Sequence, residues 1–243
     1  MIDIHSHILP AIDDGSRSIE ESLQMARMAV ESGVKAVTAT PHCVDDRIDE
    51  IQESIYYLKE ALEEFHIPLK LYMGMEIFGT ESTAELLQKG ELCTLNSSRY
   101  PLIEFDFDSD GEVETDILQD VIQAGFRPIV AHPERYLYVQ HDPYLINEWY
   151  DMGCLFQINR GSLLGRFGRG SKNIALQLIE RGFATVVASD AHYINTRTLW
   201  MADVEQFLIE EFSVETAKVL LRKNPGKLLN NEELPFGRPK WFI

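Results

Sequence analysis

Short apolar runs recur along the chain, each preceded by an amphipathic stretch and closed by a polar cluster. Ser18-Ile-Glu-Glu21 reads as a capping box that opens a helix through Glu31, with Gly33 as its stop. The run 34–40 then delivers Pro41-His42. Gly125 precedes 126–131, which ends at His132-Pro-Glu-Arg135, and Gly153 precedes 154–158, which ends at Asn159-Arg160-Gly161. Gly182 precedes 183–189, which ends at Asp190-Ala-His192. Runs at 69–75 and 100–103 end at Glu76 and Glu104, and the chain opens on Ile2-Asp-Ile-His5-Ser-His7. Between them the pattern predicts long helices over 45–65, 113–124, 173–181 and 198–211. Continuous apolar strands alternating with helices imply a parallel sheet covered on both faces. Six or seven such units, with no Ser/Gly linker, low-complexity tract or shift in composition, predict one α/β barrel domain over residues 1–243. In such a barrel the chemistry sits where the strands end. The residues found there are His, Asp, Glu and Arg.

A formal charge of −17 argues against a nucleic-acid partner, which demands a basic surface, and against an anionic membrane. The plain reading of that acidity is solubility. A phosphorylated substrate stays compatible with it, because bound cations invert the potential of a site. Three cysteines without paired spacing point to a reducing compartment. No stretch reaches the roughly 18–20 apolar residues of a membrane span. A first strand that starts at Ile2 and carries two histidines speaks against a signal peptide. The expectation is a cytoplasmic protein without membrane insertion; homo-oligomerisation is left open.

In a strand, residues i and i+2 share a face, so His5 and His7 can aim at one point. Imidazole is the commonest protein ligand for transition metals. The candidate ligands are His5, His7, Asp14, His42, Glu76, Glu104, His132, Asp190 and His192. These exceed the four to six donors of one ion, so two or three ions sharing a carboxylate are expected. Imidazole mixed with carboxylate suits Mn²⁺, Fe²⁺ or Zn²⁺. Each residue has a bland explanation: a surface coincidence for His5-x-His7, a turn cap at Gly15 for Asp13 and Asp14, chance for Glu76 and Glu104. Recurrence at successive strand ends favours the metal site. His66 and His141 receive no role.

His5-x-His7 with Asp13-Asp14-Gly15, Thr40-Pro41-His42, Glu76, Glu104, His132-Pro-Glu-Arg135 and Ser189-Asp-Ala-His192 resembles the polymerase and histidinol phosphatase (PHP) superfamily. Within it the chain is similar to the manganese-dependent protein-tyrosine phosphatases of bacterial capsule and exopolysaccharide gene clusters. The resemblance runs from residue 2 to about residue 230 and implies a distorted (β/α)7 TIM-like barrel holding three metals. By that pattern one ion takes His5, His7, Glu76 and Asp190, and a second takes Asp14, His42 and His192. The third takes Glu76, Glu104 and His132, with Glu76 bridging. Cys43, after His42, stands where relatives often carry a second polar residue, and it touches no ligand assignment. The resemblance also implies that Arg135 and Arg197 contact phosphate, which the planar fork of arginine fits. Salt bridges to neighbouring elements are the competing reading for both. Arg160 is a third candidate, and Tyr136 and Tyr138 either line the mouth or pack. The implied substrate is the tyrosine-rich tail of an autophosphorylating kinase that controls polysaccharide export.

Cysteine-dependent tyrosine phosphatases carry a Cys-x5-Arg loop, and that spacing occurs twice, at Cys93…Arg99 and Cys154…Arg160. Such loops turn backbone N–H groups onto phosphate with the help of glycine, and neither segment contains one. The resemblance implies hydrolysis of phosphotyrosine, and without such a loop the expected mechanism is attack by a metal-activated hydroxide with no covalent phosphoenzyme. The alternatives are a small-molecule phosphatase, such as one acting on histidinol phosphate, and a non-catalytic metal-binding regulator.

Overall fold

The computed structural model describes residues 1–43, 48–235 and 237–243, the side chain of Cys43 excepted. Nine strands are distributed over two sheets among the described residues. The first has the order β1 (Ile2–Ser6), β2 (Ala36–Ala39), β4 (Lys70–Met73). The second runs β3 (His42–Cys43), β5 (Glu76–Phe78), β6 (Leu102–Glu104), β7 (Ile129–Ala131), β8 (Leu155–Asn159), β9 (Val186–Ala188). Every pairing is parallel. The predicted run 34–40 holds β2, and a separate short strand, β3, follows Pro41, which has no N–H to donate to the ladder. The run 69–75 likewise ends early as β4, and Glu76 opens β5 rather than following a strand. The sheets meet where Ser6 bridges Ala191 and the His7 N–H donates to the Ala191 carbonyl at 2.8 Å.

Helices α1 (Ile19–Glu31), α2 (Ile48–Glu64), α3 (Thr83–Lys89), α4 (Glu112–Gln123), α5 (Leu137–His141), α6 (Tyr144–Met152), α7 (Arg160–Leu163), α8 (Gly168–Arg181) and α9 (Ala202–Glu211) connect or follow the strands. Short helices α10 (Val214–Lys218) and α11 (Asn224–Leu229) follow. The Ser18 hydroxyl caps α1 by accepting from the Glu21 N–H, as the capping box predicts. The start of the helix predicted from 45 lies outside the described residues up to Ile48. Helix α8 begins five residues before the predicted 173, and α9 begins four residues after the predicted 198. No helix among the described residues is long and apolar enough to cross a membrane.

Strand residues alternate between two buried layers, which explains their near-continuous apolarity. Ile103, Val130, Phe156 and Val187 pack with the helices, while Leu102, Ile129, Ala131, Leu155, Val186 and Ala188 form an inner layer. Leu228 and Leu229 of α11, with Leu234, join that inner layer. Two residues beyond the inner apolar positions stand Glu104, Gln157 and Asp190. The inner face thus turns from hydrocarbon to polar along each strand.

Candidate metal centre

The first turn of the site is built against His7. Gly15 packs so closely that a Cβ there would lie 2.2 Å from the His7 carbonyl oxygen, so no larger residue fits. Asp13 caps this turn through the Gly15 N–H at 2.9 Å, as the bland reading expects, but its other oxygen lies 2.7 Å from His7 Nδ1. That oxygen also accepts from the His42 N–H at 3.0 Å. On β8, the Gln157 amide oxygen lies 2.9 Å from His5 Nδ1. Both imidazoles are therefore held by Nδ1, and both Nε2 atoms face Glu76 Oε2, at 3.0 Å from His5 and 3.2 Å from His7.

All nine predicted residues come together. His5, His7, Glu76 and Asp190 form one group of donor atoms, His7, Asp14, His42 and His192 a second, and His42, Glu76 and Glu104 a third. His7 thus reaches the second group and His42 the third, beyond the sets expected from the sequence. His132 Nε2 lies against the third, 2.9 Å from Glu76 Oε1 and 3.9 Å from Glu104 Oε2. The His42 ring presents Nδ1 to Glu104 Oε1 at 2.8 Å. His5, His7, Glu76, His132, Asp190 and His192 are buried, whereas the Asp14 side chain is 59% exposed and His42 33%. The cluster therefore opens to solvent on the Asp14–His42 side.

Electrostatics in the metal-free cluster follow from burial and pairing. Burial disfavours the His7 cation, but hydrogen bonds to Asp13 and Glu76 outweigh it and raise His7 to about 10. The same contact holds Asp13 down at about 2 against its own burial. Glu76 and Asp190 are lowered because His5 and other cations overcome their desolvation. His192 moves the other way: burial, then the charge of His7, push it down to about 3. It is a neutral imidazole whose buried Nε2 has no hydrogen-bond partner and faces Asp14 Oδ1 at 3.4 Å.

Both predicted arginines lie beside Asp190. Arg135 Nη1 is 3.2 Å from Asp190 Oδ2, and Arg197 Nη2 pairs with Oδ1 at 2.5 Å. The guanidinium of Arg135 is sandwiched between Phe107 and Phe167, 4.7 and 4.3 Å from their ring centres. Phe167 can lie there because Gly161 has no side chain; a Cβ would stand 2.4 Å from the ring. Arg160 is not part of this edge. It is buried and grips Asp203 through Nε at 2.7 Å and Nη2 at 2.5 Å, tying β8 to α9. Tyr136 and Tyr138 pack rather than line the mouth: the Tyr136 hydroxyl donates to the Ala131 carbonyl at 2.8 Å, and the two rings stack.

Residues 1–230 match the family of capsular polysaccharide synthesis, CpsB/CapC. The chain belongs to that family. It is 36% identical over 238 residues to the tyrosine-protein phosphatase YwqE of Bacillus subtilis, spanning 96% of this chain and 93% of that one. With the tyrosine-protein phosphatase CpsB of Streptococcus pneumoniae it shares 32% identity over 241 residues, 96% of this chain and 99% of the relative. A crystal structure from the work on YwqE and CpsB, which calls them unique metal-dependent tyrosine phosphatases, superposes with a TM-score of 0.93 at 34% identity, covering both chains completely. A dihydropyrimidinase from Brevibacillus agri shares the fold alone, with a TM-score of 0.59 at 11% identity over 95% of this chain and 70% of that chain.

In this CpsB/CapC chain the two cysteine spacings build no phosphate loop. Cys154 is buried ahead of β8, and desolvation pushes its thiol well above the ordinary range. The arginine that completes its spacing is Arg160, already held by Asp203. Cys93 precedes the turn Leu95–Ser97 that leads into β6, and Arg99 turns to the side chain of Asn231. Asp13, Gln157 and Asn159 are the site residues that sequence reading passed over. The Asn159 amide donates to Asp190 Oδ2 at 2.6 Å, and its own N–H donates to the buried Glu134 at 2.9 Å. Gln157 had a signal, a lone amide within an apolar strand.

Proposed function

We propose that this chain removes phosphate from phosphotyrosine in proteins, with divalent metal ions held by the cluster at the strand ends. It is a metal-dependent tyrosine phosphatase and uses no cysteine nucleophile. The observation that carries the reading is the convergence of four imidazoles and four carboxylates whose donor atoms already form overlapping groups, with a fifth imidazole, His132, beside Glu76. The donor set fits metal: His5, His7 and His192 are each held through Nδ1, and the buried Nε2 of His192 has no hydrogen-bond partner. One ion is assigned to His5, His7, Glu76 and Asp190, a second to Asp14, His42 and His192, and a third to Glu76, Glu104 and His132. Imidazole and carboxylate without thiolate favour Mn²⁺, with Fe²⁺ or Zn²⁺ as substitutes. When bound, such ions lower the pKa of water towards neutrality and clamp phosphoryl oxygens.

Arg135 and Arg197 have the protein's own part in the reaction. They neutralise charge on the equatorial phosphoryl oxygens, and contact with the rings of Phe107 and Phe167 holds the Arg135 guanidinium in place. A phenolate, with an intrinsic pKa near 10, leaves without a dedicated side-chain acid. We assign the fold to the PHP superfamily as a single domain over 1–243 and read it as a distorted (β/α)7 barrel; the Ser6–Ala191 bridge between the two sheets supports that reading. The substrate is the tyrosine-rich tail of a kinase that regulates capsule or exopolysaccharide synthesis, and the setting is the cytoplasm. Parallel assays of the metal-loaded protein on a phosphotyrosyl peptide and on histidinol phosphate test the substrate class. Release from the peptide at a far higher kcat/KM is expected; the opposite order would overturn the reading.

A further inference from the structure

Beyond Arg197 the site edge continues into a second cavity of about 420 Å³, within the size range of small-ligand pockets. Its walls include Arg160, Arg166, Phe167, Asn195, Thr196 and Arg197. Of its three arginines, Arg160 is neutralised by the bidentate pair with Asp203. Arg166 reaches that same carboxylate only at 3.9 Å and is 44% exposed. Arg197 spends Nη2 on Asp190, while its buried Nε has no hydrogen-bond partner. Its backbone sits at φ +46°, a conformation that costs energy in a non-glycine residue and so must be imposed by its surroundings. One cavity is therefore lined by the loosely engaged guanidinium of Arg166 and by that of Arg197, on a chain whose net charge of −17 repels acidic partners elsewhere.

We propose that this cavity is a subsite for a carboxylate side chain lying one or two residues from the phosphotyrosine of the substrate, received between the guanidinium groups of Arg166 and Arg197. The inference rests on the phosphotyrosyl reading above and extends it from the phosphate to its sequence context. Arg197 stands between the two groups, its Nη2 paired with Asp190 at the metal centre and its side chain lining the cavity. Arg166 serves the carboxylate alone, so it sets selectivity and leaves the reaction on neutral peptides untouched.

The test uses the full metal-loaded chain and peptides carrying a non-hydrolysable phosphonate analogue of phosphotyrosine, with Glu or Gln placed in turn at each of the two positions on either side. Binding is read by fluorescence anisotropy, and hydrolysis of the matching phosphopeptides is read in parallel. The native chain is expected to favour Glu at one or more positions by about fivefold, the upper range for a partly exposed ion pair. The preference shrinks with added salt. Arg166→Gln abolishes it without changing affinity for the Gln peptides, and Arg166→Lys restores part of it. Equal binding of Glu and Gln peptides by the native chain would overturn the subsite, as would equal weakening of both by Arg166→Gln. Tight binding without hydrolysis of any phosphopeptide would instead contradict the phosphatase reading, which keeps the two failures distinct.

Discussion

His7 belongs to two of the overlapping donor groups, and its proton decides how they take a metal. In the metal-free protein it is raised from 6.5 to about 10, so near neutrality a metal must displace a proton from it. Metal affinity therefore rises with pH, and calorimetry in buffers of different ionisation enthalpy detects the released proton; no buffer dependence would contradict this. The same pair shapes the stability of the metal-free chain. The raised His7 contributes fully below 6.5, and the contribution fades as pH climbs through about 10. The lowered Asp13 contributes fully above its ordinary 3.8 and loses this as pH falls through about 2. The Tm advantage of the native chain over Asp13→Asn should thus be largest between these ordinary values and shrink on either side. Gln157 acts similarly on His5 through one hydrogen bond. Gln157→Ala is expected to weaken metal binding by roughly 10–100-fold with the circular dichroism spectrum retained; unchanged affinity would show that His5 needs no partner.

Strand ends made most of the centre legible before any coordinates. A histidine or carboxylate that closes an apolar run must leave the core where the sheet ends, and Glu104, His132, Asp190 and His192 do so, whereas His42 and Glu76 open β3 and β5. The missed residues lie where the pattern carries less information. Gln157 occupies the inner face of β8 two residues after Leu155, Asp13 looks like a turn cap, and Phe167 reaches Arg135 only because of tertiary packing. The start of α8 was obscured because Gly168-Arg-Gly170 lacks helix propensity. The start of α9 was misplaced because Leu199 and Met201 are apolar for core packing ahead of the helix. Gly161→Ala tests the element-scale arrangement that sequence did not reveal. The new Cβ displaces Phe167 and unseats Arg135, so kcat/KM on a phosphotyrosyl peptide should fall roughly 10–100-fold without a comparable loss of Tm. Unchanged kinetics would separate the aromatic sandwich from catalysis.

Across the whole molecule, cohesion and chemistry use different arginines. Arg160 joins the end of β8 to α9 through Asp203 from a buried position, so removing it leaves a carboxylate without its partner. Arg160→Gln is expected to cost about 2–3 kcal/mol, a clear drop in Tm, because Asp203 is a third exposed and regains some water. Arg135→Gln should instead abolish most turnover while leaving Tm nearly unchanged; the reverse pattern would exchange the two roles. The C-terminal segment closes on its own chain, with Phe242 buried against Phe183 and its N–H donating to Asn147 at 3.1 Å. This docking is not legible in the sequence, because an isolated aromatic tail does not name its partner. One measurement reaches the central claim that metal ions held by histidines and carboxylates, and no cysteine, carry the reaction. The chain bearing Cys93→Ser and Cys154→Ala is stripped of metal, and phosphate release from a phosphotyrosyl peptide is followed as Mn²⁺, Fe²⁺, Zn²⁺ or Mg²⁺ is returned. The account predicts no turnover in the stripped protein and native-level turnover once Mn²⁺ is restored. Turnover by the native stripped chain that vanishes with the two cysteines would contradict it.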